Sequence, residues 1–109
     1  MTKETTTIIG KWRITSMSAW NRDYIDLVEP GFITFETRGM GEMVFGVVTA
    51  ALDCAFNAGK TDVSFEFIGS DEGDEISGEG SAELTGANTI KGEIEFHNGD
   101  DTTFEAHRW

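Results

Sequence analysis

The sequence predicts an all-β fold: a single antiparallel up-and-down meander of about seven to eight strands, closed into a barrel, with a short helix or lid after the first strand. Three observations carry this. Apolar and polar residues alternate one by one, as in Ile90, Gly92, Ile94 and Phe96 against Lys91, Glu93, Glu95 and His97, which is the pattern of half-buried strands. Glycine-bearing turns separate such runs: Arg38-Gly39-Met40-Gly41, Asn57-Ala58-Gly59-Lys60, Asp71-Glu72-Gly73-Asp74, Gly86-Ala87-Asn88 and Asn98-Gly99-Asp100-Asp101. One face of these strands is acidic and the other apolar, and a meander with that division hides its apolar face by curling until its edges meet.

Strands are expected near residues 9–18, 31–38, 42–50, 61–69, 74–84, 90–97 and 102–109, with a short extra one around 52–56. The first opens on Gly10-Lys11-Trp12. After it, Trp20, Tyr24 and Leu27 fall at helical spacing, with Asn21, Asp23 and Asp26 between them, until Glu29-Pro30-Gly31 stops any helix. This segment caps one barrel mouth, either as a plug that completes the core or as a lid over a binding site. Further on, Val63, Phe65 and Phe67 alternate with Ser64 and Glu66, and Ile76, Gly78, Gly80, Ala82 and Leu84 with Ser77, Glu79, Ser81 and Glu83. A two-residue Glu72-Gly73 turn keeps both apolar sets inside and sets Phe67 opposite Gly78; the next hairpin sets Gly80 opposite Ile94 and Gly78 opposite Phe96. Ile94 and Phe104 both point inward only if the connection from Asn98 to Asp101 carries a bulge or an odd-length loop. Inward glycines that face rings either mark strongly coiled strands, the ring covering the missing side chain, or hollow out a cavity.

At 109 residues the chain makes one domain, 1–109, with 1–7 as a flexible N-terminal tail. Its net charge of −12 opposes the phosphate contacts that dominate nucleic-acid affinity and repels an anionic membrane surface, so neither is an expected partner. The charge serves solubility or suits a salty cell interior. The polar start, Met1-Thr2-Lys3-Glu4-Thr5-Thr6-Thr7, has no apolar signal core, and a cytoplasmic location is the expectation. Cys54 is the sole cysteine, which rules out an internal disulfide and suits a small core residue.

By the alternation that turns Phe104 and Ala106 inward, Arg108 also lies on the inner face, where a guanidinium needs acceptors and an aromatic surface. The segment Gly10-Lys11-Trp12-Arg13-Ile14-Thr15-Ser16-Met17 resembles the opening strand of lipocalins, and Phe104-Glu105-Ala106-His107-Arg108-Trp109 the closing strand that supplies their arginine. The likeness is to the calycin superfamily, and within it to compact bacterial lipocalin-like or avidin-like barrels. It implies that Gly10, Trp12 and Arg108 form a structural closure, the tryptophan plugging one barrel end and the arginine packing across its indole while bonding nearby backbone. The chain is much shorter than secreted lipocalins and lacks their Thr-Asp-Tyr motif and disulfides. Avidin-like barrels share Gly-x-Trp, but their polar ligand contacts cannot be placed here and biotin is not implied.

No catalytic motif is present: there is no Gly-x-Ser-x-Gly, no P-loop and no Cys-His pair with an orienting partner. Glu36, Glu42 and Glu66 qualify as acid or base only if one is buried. His97 and His107, outward on adjacent strands, either begin a metal or haem site or pair with surface acids. The acidic turns offer oxygen ligands but not the spaced loop of a calcium site, and no metal or cofactor is assigned. Two functions are expected to compete. In the first, a small apolar ligand occupies an interior cavity lined by Phe32 or Phe35, Phe45, Phe65, Phe67, Ile76, Ile94 and Phe104, gated by the lid residues Trp20, Tyr24 and Leu27. In the second, a packed barrel without ligand acts as a homo-oligomer through Trp20 and Trp109.

Overall fold

Alternating runs become strands and the helical run becomes one helical turn. The order is β1 (Gly10–Met17), α1 (Arg22–Ile25), β2 (Phe32–Phe35), β3 (Met40–Phe45), β4 (Val48–Phe56), β5 (Asp62–Asp71), β6 (Asp74–Gly86), β7 (Thr89–Phe96) and β8 (Asp101–Arg108). Every strand pairs antiparallel with its successor, and β8 returns to β1, so the meander is a closed eight-stranded barrel. The computed structural model describes residues 6–97 and 99–109. Of the expected tail, residues 1–5 lie outside those described; Ile8 is already buried in the core.

The expected strand at 42–50 and the short one at 52–56 are divided differently. β3 stops at Phe45, a two-residue Gly46-Val47 turn follows, and β4 runs unbroken from Val48 to Phe56. Turn chemistry is hidden there inside the apolar run from Val44 to Val48. Gly46, at φ 56°, supplies the left-handed residue that a tight hairpin needs at its first turn position. β2 is four residues long, because the chain from Glu36 to Met40 folds into a turn held by Gly39 N–H to the Glu36 carbonyl (3.0 Å) and Glu36 N–H to the Met40 carbonyl (2.8 Å).

Register follows the parity of the apolar residues. Phe67 lies opposite Gly78, Gly80 opposite Ile94 and Gly78 opposite Phe96. Glu95 pairs with Asp101, so residues 96–100 make an odd-length connection and both Ile94 and Phe104 are buried. A Cβ added to Gly78 would sit 2.6 Å from Phe67 Cζ, one on Gly80 2.6 Å from Phe65 Cζ, and one on Gly92 2.7 Å from Phe104 Cε1. The rings thus rest on bare backbone, and the space above these glycines is filled. In β1 the register shifts between Ile14 and Ser16, which moves the inward set from Trp12 and Ile14 to Met17.

The outer wall carries a row of acids in direct cross-strand register: Asp53 opposite Glu66, Glu66 opposite Glu79, Glu79 opposite Glu95, and Glu95 opposite Asp101. Lys91 is the one basic residue on β4 to β7, and it pairs with Glu83 (3.8 Å), off this row. Like charges directly opposite one another each cost roughly 0.2–1 kcal/mol. Raising ionic strength shortens the Debye length from about 30 Å at 0.01 M to about 8 Å at 0.15 M and screens them. Urea unfolding should therefore show stability rising by about 1 kcal/mol over that range. Glu79→Gln, at the centre of the row, should raise stability at low salt and flatten the dependence; a salt response unchanged by this substitution would assign it elsewhere.

Candidate functional site

Gly10, Trp12 and Arg108 come together where β1 begins and β8 ends. Trp12 is fully buried, and its indole Nε1 donates to the Ile8 carbonyl at 2.9 Å. The Arg108 guanidinium lies 4.1 Å above the indole ring and donates to the carbonyls of Thr7 (2.8 Å), Ile9 (3.2 Å) and Ala87 (3.4 Å). Gly10 adopts φ 137°, and a Cβ there would meet Arg108 Nη1 at 3.0 Å, so glycine is what lets the strand begin beneath the arginine. With carbonyl acceptors in front and a π-face behind, the guanidinium is held without a carboxylate among the described residues.

The opposite mouth is covered by the segment between β1 and β2. Asn21 caps α1 by accepting from Tyr24 N–H (3.0 Å). Trp20 and Tyr24 stack with centroids 5.8 Å apart and both meet Phe45, at 5.2 and 6.5 Å. The Tyr24 ring occupies the place of a side chain at Gly46. Leu27 does not join them: the helix is a single turn, its spacing carries no further than Ile25, and Ile25 is buried while Leu27 is 61% exposed.

Both ends of the cover are pinned. At its entry Ser18 Oγ accepts from Thr103 N–H (2.8 Å), and the buried Thr102 hydroxyl accepts from Ala19 N–H (3.0 Å). At its exit Arg13 grips Asp26 through two parallel bonds of 2.8 and 2.9 Å, and Asp26 also accepts from Gly31 N–H (3.0 Å). The hydrogen bond from Arg13, opposed by desolvation and helped by the Gly31 N–H, lowers the Asp26 pKa from its ordinary 3.8 to about 2. The folded state therefore prefers the ionised carboxylate. Its contribution is fully present above the ordinary value and lost as pH falls through about 2. Asp26→Asn should cost about 1–2 kcal/mol near neutral pH, allowing for partial solvent screening. In urea titrations the gap between the two proteins should narrow as pH drops from 5 towards 2.5; a constant gap would refute the ionic latch.

Beside Trp20, at the edge of this cover, lies a half-open cavity of about 270 Å³, walled by Trp20, Val48, Ile76 and Phe96 and rimmed by Asp71, Asp74, Glu75 and Asp100, with Ser77 and Gly99 completing it. Among the described residues, no lysine or arginine lines it. Trp20 meets Phe96 edge-on at 6.0 Å, and from Phe96 a chain of rings leads inward through Phe67 (5.3 Å), Phe65 (6.5 Å) and Phe35 (6.0 Å). Larger concavities, of about 540 and 870 Å³, open on the strands' outward faces and are lined by many acidic and small polar residues.

The six residues expected to line an interior cavity, Phe35, Phe45, Phe65, Phe67, Ile94 and Phe104, are all buried in one core. They stand behind the mouth cavity rather than in its wall. Phe32 is an outward residue: it pairs with Arg13 and packs against Trp109 (6.0 Å) with Lys11 Nζ 4.5 Å above its ring. Val48 and Phe96 were not singled out from sequence as site residues. The signal for Phe96 was present, since it is the last inward position of β7 and so faces the mouth.

The remaining candidates are dispersed. Glu36, Glu42 and Glu66 are exposed. His107 lies opposite Thr89 at the start of β7 and His97 just beyond its end, roughly 25 Å apart along a strand. His97 bonds to the Ser77 hydroxyl (3.0 Å) and His107 to the Arg108 carbonyl (3.1 Å). Among the described residues no three His, Cys, Asp or Glu side chains converge as metal ligands, and no helix is long and apolar enough to cross a membrane. Cys54 is partly buried; that burial, with the charges of Asp53 and Glu36, pushes its thiol up to about 11, so it stays protonated and unreactive at neutral pH.

The chain is an all-β, eight-stranded meander closed into a barrel, with a short helix after the first strand, consistent with a lipocalin-like fold. No protein family, curated protein or solved structure matches the chain.

Proposed function

We propose that this chain is a lipocalin-like binding protein that holds a small apolar molecule non-covalently in the covered mouth of its barrel. The supporting observation is the cavity of about 270 Å³ between Trp20 and the inner residues Val48, Ile76 and Phe96. At about 30 Å³ per water-sized group it has room for roughly nine non-hydrogen atoms, the scale of a phenyl ring with a short tail. Apolar walls drive such a ligand in, and the pinned cover limits the ordering cost of holding it. Membership of the calycin superfamily is part of the same reading, supported by the stacking of Arg108 on Trp12 behind Gly10.

The test is direct. Native mass spectrometry of the purified protein should show a bound organic molecule, or stripped protein should take up 2-phenylethanol with a change in Trp20 fluorescence. Ile76→Trp, which fills the cavity, should abolish uptake. Protein that carries nothing and ignores the probe at millimolar concentration refutes the proposal. A second reading, a barrel that works by meeting another copy of itself, is favoured by Trp109, which is 54% exposed above Lys11 and Phe32. It requires a dimer by light scattering that Trp109→Ser dissociates.

A further inference from the structure

We infer that the mouth cavity selects an organic cation, an amine or quaternary ammonium carried on a small apolar body, over neutral and anionic molecules of the same shape. This rests on the reading of the mouth as a ligand site and adds the charge of the ligand. The walls come first. Trp20 and Phe96 meet edge-on at 6.0 Å and, with Val48 and Ile76, give the cavity an apolar wall. Charge is the second observation. Asp71, Asp74, Glu75 and Asp100 rim the same space, and none of the four is ion-paired with a described lysine or arginine.

A carboxylate-tailed ligand such as a short fatty acid would have to bring its charge among four others of the same sign. A neutral ligand gains only the apolar contact. An ammonium gains the apolar contact for its body and, for its head, the summed field of the rim, which a half-enclosed apolar wall concentrates. Asp71 is the partly buried member of the rim, and water screens its charge least. The row of acids on the outer wall extends the negative field over the surface that an approaching cation crosses, which speeds encounter without defining a site.

Three probes of nearly equal size separate the possibilities: 2-phenylethylammonium, 2-phenylethanol and phenylacetate, titrated into the full chain at low salt and followed by heteronuclear NMR. The ammonium should bind about tenfold tighter than the alcohol, the phenylacetate should bind weakest, and the shifts should centre on the Trp20 indole and the Phe96 amide. The ammonium's advantage should shrink in 0.5 M salt and in Asp71→Asn, and survive Glu79→Gln on the outer wall. Equal affinity for ammonium and alcohol, both at Trp20, overturns cation selection while leaving the mouth as a ligand site. Ammonium shifts spread over the acidic surface and unaffected by Trp20→Leu also overturn it, as loose attraction to a charged protein. No binding by any of the three overturns both readings.

Discussion

Arg108→Ala should destabilise the barrel by about 3 kcal/mol, and Trp12→Ala by at least as much. The arginine donates to three carbonyls and covers the indole at 4.1 Å, so its removal strands acceptors at a barrel end and uncovers a fully buried ring. Removing Trp12 leaves a cavity the size of an indole beneath a guanidinium that has lost its aromatic face. Arg108→Lys should recover little, because an ammonium has no flat surface to stack and no fork to reach Thr7 and Ile9 together. Urea unfolding monitored by far-ultraviolet dichroism measures all three. Losses under about 1 kcal/mol at both positions would mean that the barrel does not depend on this closure.

Gly78→Ala should cost about 3 kcal/mol, at the upper end for overpacking. A methyl group there runs into the Glu95 carbonyl of the neighbouring strand and the Phe67 ring at 2.6 Å, so backbone and ring would have to move together. Phe67→Leu in the same chain should restore only part of the loss, since it clears the ring and leaves the carbonyl. Gly59→Ala is the control: nothing lies within 4 Å of a Cβ at that position and its backbone is ordinary, so a change within about 0.5 kcal/mol is expected. Equal effects at Gly78 and Gly59 would contradict the packing of rings on bare strand backbone.

The barrel was legible because its strands obey one rule. Alternation placed Phe67 over Gly78 and Ile94 across from Gly80, and parity alone demanded the odd connection before β8. Where the rule blurred, so did the reading. Between Val44 and Val48 both faces of the chain are apolar, and the turn at Gly46 left no polar mark. The meeting of Trp12 and Arg108 was legible because both are rare residue types in inward positions. The mouth was only partly so. Trp20 and Tyr24 announced a cover, but Leu27 shared their spacing and faces solvent, since spacing does not reveal that the helix lasts one turn. Asp71, Asp74 and Asp100 read as ordinary turn residues; only the meeting of two hairpins at one rim makes them neighbours. The latch of Arg13 on Asp26 joins an outward strand position to a helix cap, a distance in space that no periodicity encodes.

The pairing of β1 with β8 has a kinetic side. With the guanidinium included, its bonds join residues up to 101 positions apart, as between Arg108 and Thr7, while every other ladder links strands consecutive in sequence. Hairpins β3–β4, β5–β6 and β7–β8 have short local loops to close, whereas the seam waits on the slowest search in the chain. Until it forms, β1 and β8 are two unpaired edges, each able to accept a strand from another molecule. Crowded or concentrated chains are therefore most exposed to strand exchange during refolding, and the guanidinium stacked on Trp12 works as the clasp that ends that interval.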